Sequence, residues 1–131
     1  MKTHLTLEQL ENEYWGEPQF HSNLVITCHR LRKKPLRDFE PGDLRIMIGQ
    51  SFSLEYLMPL SLIELEKNIL VEGDVYEGDL LIVSLKNENK NYWKENQHLW
   101  KRLVTLIKRN EHLIEDRMLE EIKNKISYIE S

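Results

Sequence analysis

Cysteine is almost absent from this chain. Cys28 is the single one in 131 residues, so no disulfide can form within it, and a reducing compartment is the natural setting. No uninterrupted apolar run approaches the roughly twenty residues that a membrane span needs. The N-terminal stretch MKTHLTLEQLENEYW lacks the apolar segment of a secretory signal. We therefore expect a cytoplasmic protein that does not enter a membrane. Glycine is scarce too, at five residues, and none falls in a G-x-G-x-x-G or G-x-x-x-x-G-K-[ST] pattern, so nucleotide phosphates have no evident cradle. A G-x-S-x-G elbow is also missing.

Metal chemistry has equally little support. The histidines His4, His21, His29, His98 and His112 never pair with one another, or with Cys28, at the i, i+3 or i, i+4 spacing that places ligands on one helix face. HExxH and CxxC do not occur. Cys28 and His29 are adjacent, which on a helix separates their side chains by about 100°, and Cys28 reads as a small core residue. The segment Glu72–Asp79, EGDVYEGD, is rich in oxygen but lacks the D-x-[DN]-x-[DN]-G order and closing glutamate of an EF-hand. No carboxylate pair is distinguished for acid–base work. The expectation is a non-enzymatic protein with no metal and no cofactor.

What the chain does have is charge, unevenly placed. Hydrophobic residues make up 40% and charged ones 31%, an ordinary globular balance, and the length suits one domain over residues 1–131 with a core of its own. Between Asp38 and Ile82 stand ten acidic side chains against two basic ones, Arg45 and Lys67. Six of those acids, Glu64, Glu66, Glu72, Asp74, Glu77 and Asp79, fall within sixteen residues. A dense acidic patch beside a packed core is suited to seizing a basic protein partner. The opposite sign gathers in HRLRKKPLR, but that run is short and has no interleaved aromatics. It reads as a solvated helix end, favoured by the C-terminal dipole, and no nucleic-acid partner is expected.

Helical periodicity dominates. Thr6-Leu7-Glu8-Gln9 fits a capping box, with Leu7, Leu10 and Tyr14 following at helical spacing until Gly16 and Pro18. Ser22 or Asn23 can cap a second helix that turns Leu24, Val25, Cys28 and Leu31 toward the core, with Pro35 as its stop. Pro41 suits the first position of a third helix, which buries Leu44, Met47 and Ile48 and leaves Arg45 to reach a carboxylate or a helix C-terminus. Gly49 should break it before a fourth helix begins near Ser51 or Ser53. That helix is apolar nearly all round and therefore central, and Pro59 should kink or restart it. Asp79 is a suitable cap for Leu80–Leu85, a run compatible with strand or helix and assigned here to helix for want of a partner strand. Lys86–Asn91 reads as a polar connector. A helix starts near Asn96, and apolar spacing continues almost to the C-terminus, with Asn110 either dividing it or lying inside it. The fold class is all-α, a compact bundle of six or seven helices.

Several strings, taken in order, are similar to a known family: LEQLENEYWGEP (Leu7–Pro18), RLRKKPLRDFEPGDLRIMIGQ (Arg30–Gln50), EGDVYEGDLL (Glu72–Leu81) and YWKENQHLW (Tyr92–Trp100). Together they resemble the bacterial immunity proteins of contact-dependent growth inhibition. Glu40 departs from the small hydroxyl cap that often precedes the third helix there. The resemblance implies an antidote that binds and neutralises the C-terminal toxin domain of a cognate effector, in many cases a nuclease with a basic groove. A small cytoplasmic adaptor or regulator for another basic protein is the alternative that the acidic patch alone allows. Either way the expected contact residues are Glu64, Glu66, Glu72, Asp74, Tyr76, Glu77 and Asp79. Tyr76 has two readings: an exposed anchor between carboxylates, or a ring folded under the loop to close the core.

Overall fold

A computed structural model describes residues 2–19 and 22–131, so His21 lies outside the described residues. Among the described residues there are eight α-helices: α1 (Leu7–Glu11), α2 (Asn23–Leu31), α3 (Pro41–Gly49), α4 (Leu54–Lys67), α5 (Asp79–Ser84), α6 (Lys90–Glu95), α7 (Gln97–Arg109) and α8 (Asp116–Glu130). Short 3-10 turns lie at Leu36–Asp38, Asn87–Asn89 and Glu111–Leu113. The β pairing in this part of the chain is confined to two isolated bridges, Thr6 with Pro35 and Glu72 with Glu77. The fold is all-α.

Local chemistry sets most of the boundaries. In the capping box of α1 the Gln9 amide donates to Thr6 Oγ1 at 3.2 Å, and the Thr6 amide donates to Gln9 Oε1 at 2.9 Å. That helix closes earlier than its apolar spacing implies, because Asn12 takes a left-handed conformation with φ 51° and ends it as a C-cap. Tyr14 consequently lies outside the helix and is exposed. Ser22 caps α2 by accepting from the Val25 amide at 3.1 Å. Cys28 and Leu31 point inward from α2 as expected, whereas Leu24 faces outward. Pro41 opens α3, and the departure at Glu40 is offset by Asp43, whose carboxylate accepts from the Glu40 amide at 3.0 Å. The same carboxylate holds Lys34 at 2.7 Å.

The reversal from α3 to α4 uses two serines with positive φ, Ser51 at 57° and Ser53 at 54°. Their hydroxyls are tied to distant partners, Ser51 to Asn89 Oδ1 at 2.7 Å and Ser53 to Glu11 Oε1 at 3.1 Å. Those bonds offset the strain that a left-handed non-glycine residue carries. Helix α4 runs unbroken through Pro59 from Leu54 to Lys67. Position 59 lies in the second turn, where the proline ring forfeits one backbone bond, and α4 does not restart there.

Leu44, Met47 and Ile48 of α3 meet Leu57, Met58, Leu62 and Leu65 of α4 and Leu80 and Leu81 of α5 in one buried cluster. Ile63 is the exception on α4, exposed on its outer side. Trp93 and Trp100 extend the cluster toward α6–α8, their ring centres 5.3 Å apart. Both indole N–H groups are satisfied, Trp93 by the Ser84 carbonyl at 2.8 Å and Trp100 by Glu130 at 2.9 Å. Helix α6 begins in the last two residues of the segment that reads as a polar connector and runs on to Glu95, and Asn110 separates α7 from α8.

The basic run is not a solvated helix end at its centre. Arg32 is buried, with 2% of its surface exposed. It donates to Glu11 at 2.5 Å and to the Glu13 carbonyl at 2.7 Å, and its guanidinium lies 4.6 Å from the Trp15 ring centre. Lys33 pairs with Glu8 at 3.4 Å. The run therefore clamps the N-terminal segment onto the helices behind it.

Two measurements test this packing. Leu44→Ala is expected to lower unfolding free energy by about 2–5 kcal/mol, read from denaturant melts. Burial, and after it the charge of Glu55, pushes the Tyr92 phenol up to about 12. A phenol in the unfolded chain ionises near 10, so stability is fully present below that value and declines as pH rises from about 10 toward 12. Tyr92→Phe is expected to flatten this alkaline decline relative to the wild type.

Candidate functional site

The acidic loop begins where α4 ends. Asn68 stops that helix, accepts from the Leu70 amide through its side chain at 3.0 Å and from the Val71 amide through its carbonyl at 3.0 Å, and so turns the chain sharply. Ile69 is buried and anchors the turn. The Gly78 amide returns to the Leu70 carbonyl at 3.1 Å, so residues 70–78 form a closed excursion with a bridge between Glu72 and Glu77 inside it. Gly78 has φ 91°, a conformation glycine adopts without steric cost. A β-carbon there would also come within 2.9 Å of Met118 Sδ on α8.

Asp79 organises the loop from beneath. It is not the cap of α5: Gly78 holds that position, and Asp79 is the first helical residue. Its side chain, 2% exposed, points backward into the loop. Oδ1 accepts from the Gly73 amide at 2.5 Å, and Oδ2 from the Val75 amide at 3.0 Å and the Tyr76 amide at 3.3 Å. Arg45 of α3 approaches the same carboxylate at 3.7 Å and also donates to the Gly73 carbonyl. The structural role expected of Arg45 holds, with a carboxylate and a loop carbonyl as its partners. Asp74, at φ 79°, rests its carboxylate directly over Gly42 in the first turn of α3, where any side chain would overlap it.

The seven sequence-predicted residues thus separate into three groups. Glu72, Asp74, Tyr76 and Glu77 share the loop and are exposed. Asp79 belongs to the loop but is buried under it and is unable to touch a partner directly. Glu64 and Glu66 lie on α4, where Glu64 pairs with Lys67 at 3.5 Å and Glu66 with Arg102 of α7 at 2.7 Å. Glu66 also borders a groove lined by His98, Lys101, Arg102 and Arg109, so its surroundings are basic. Tyr76 is 43% exposed and does not close the core. Partial burial, then Glu121 of α8, then Asp79 push its phenol above the usual value, so it stays neutral and able to donate. Val75, which charge patterning does not single out, is 60% exposed beside it; the one signal in the sequence is a lone apolar residue flanked by Asp74 and Tyr76. Among the described residues no three His, Cys, Asp or Glu side chains are placed to hold a metal ion, and no helix is long and apolar enough to cross a membrane.

The molecule is thus a small all-helical protein whose most developed surface feature is a braced loop, with an apolar tip inside an acidic rim. It belongs to the CDI immunity proteins, those of contact-dependent growth inhibition, whose family model matches residues 9–103. The match takes in most of α1, the whole acidic loop and the first half of α7, and it bears out the resemblance in the four strings. Membership carries the role of protecting against a CDI toxin. No curated protein and no solved structure matches the chain.

If Asp79 braces the loop, Asp79→Ala should release three amides at once. Hydrogen exchange is expected to speed up at Gly73, Val75 and Tyr76, while amides in the middle of α4 keep their protection; unchanged exchange at those three sites would show that the loop is held by other contacts.

Proposed function

We propose that this protein neutralises the C-terminal toxin domain of its cognate effector by setting the Asn68–Gly78 loop against a basic surface of that domain, without catalysis of its own and in the cytoplasm. The observation that carries this reading is the exposed pair Val75–Tyr76 ringed by Glu72, Asp74 and Glu77 on a loop whose backbone is already ordered. Binding hot spots favour tyrosine surrounded by groups that exclude water, and an ordered loop loses little conformational freedom on association. A nuclease is the toxin class whose groove best complements this charge, because a site for nucleic acid must itself be basic. Asp79 and Arg45 position the loop, whereas Glu64 and Glu66 lie on α4, paired with Lys67 and Arg102.

The test pairs the chain with the toxin domain of the effector encoded beside it. Tyr76→Ala is expected to weaken binding by about 2 kcal/mol or more with an unchanged melting temperature. Association should slow as ionic strength rises past the point where the Debye length falls below about 8 Å. An association rate indifferent to salt would remove the acidic rim from the interface.

A further inference from the structure

We infer that the partner surface continues from the acidic loop across the outer face of α8, and that this face tunes which toxin domain the protein accepts. The inference rests on the loop-binding reading and adds a second contact region to it. Helix α8 is strongly amphipathic. Ile122 and Ile129 are buried in the common core, while Arg117, Glu120, Glu121, Asn124 and Tyr128 are exposed along a single stripe at i, i+3, i+4, i+7 and i+11. With Lys125 and with Asn87 from the neighbouring turn, the stripe lines an open groove of about 440 Å³.

Two observations join α8 to the loop, and a third marks the far end of the stripe. Met118, in the first turn of α8, abuts Gly78 so closely that a β-carbon there would meet its sulfur. Glu121 lies close enough to Tyr76 for its charge to act on the phenol. Tyr128, 47% exposed, gives the far end of the stripe an aromatic of the same kind as Tyr76, with Lys90 Nζ 4.6 Å from its ring centre. Charge distinguishes the two regions. The loop rim carries acids alone and suits attraction to any basic surface. The α8 stripe alternates Arg117 with Glu120 and Glu121 and then Lys125, so a partner must present both signs in register, and a mismatched one meets like charges. The region matched to the family ends at residue 103, before α8 begins. The loop lies within the matched region.

The experiment measures binding of the full chain to the toxin domain encoded beside it, by calorimetry, for wild type, Tyr76→Ala, Glu121→Arg and Tyr128→Ala. Thermal melts accompany each variant. Asn124→Trp, a bulky change at an exposed position, serves if Tyr128→Ala lowers the melting temperature. The expected result is at least a tenfold loss of affinity for Tyr76→Ala and for Glu121→Arg, and for Tyr128→Ala or Asn124→Trp, at unchanged stability. Loss for Tyr76→Ala with the α8 variants within twofold of wild type overturns the α8 inference and leaves the loop reading standing. Loss for the α8 variants alone overturns the loop reading and, with it, the continuous surface proposed here. A wild-type chain that does not bind the domain overturns both.

Discussion

Burying a carboxylate is costly unless its oxygens are matched, and the arrangement around Asp79 follows from that requirement. Three amides from the preceding loop converge on the two oxygens, and Arg45 supplies a cation from α3. The amides carry most of the compensation, since the ion-pair distance of 3.7 Å is long for a direct charge-assisted bond. Helices α3 and α5 pack closely against each other through Leu44, Met47, Leu80 and Leu81, and Asp79 stands at the edge of that contact. Loop, α3 and α5 therefore behave as one unit. An amide of this set left without its acceptor would cost about 1–3 kcal/mol, and the buried carboxylate stripped of its donors would cost more.

A second polar clamp works at the other end of α3. The segment before α2 brings few large side chains into the core, Leu7 chief among them. Arg32 supplies what apolar area does not, joining Glu11, the Glu13 carbonyl and the face of Trp15. Among the described residues its Nε finds no partner, so the clamp is not fully compensated, yet it gathers three groups of the segment 11–15 onto one guanidinium. Arginine alone among the side chains offers a planar, multiply donating cation that also stacks on an aromatic ring.

How much of this was visible in the sequence depended on the range of the interaction. Capping by Thr6 and Ser22 and the start of α3 at Pro41 are matters of three or four neighbouring residues, and they are read correctly. So is the helical state of Leu80–Leu85, which the absence of any partner strand decides. Helix α6 is missed because KNYWKE contributes one fully buried side chain, Trp93, and so has no periodicity to see. The early end of α1 rests on one left-handed asparagine among ordinary polar residues. Asp79 before an apolar run resembles a cap, and its backward reach becomes evident only when the amides of Gly73, Val75 and Tyr76 are in place. Arg32 resembles its basic neighbours because its burial depends on partners about twenty positions away. The acidic loop was legible as a cluster of charge, but not the division between rim and brace.

The contact between Asp74 and Gly42 gives the loop a particular freedom to change. Thirty-two positions apart in the chain, these two residues share one volume, so a side chain at 42 displaces the carboxylate at 74. Gly78 is held in a similar way by its conformation and by Met118. Between these fixed points lie Val75, Tyr76 and Glu77, whose side chains project into water and whose backbone is held by groups other than themselves. The tip can therefore be substituted one residue at a time without disturbing the scaffold that holds it. The hinge positions, by contrast, change only in concert.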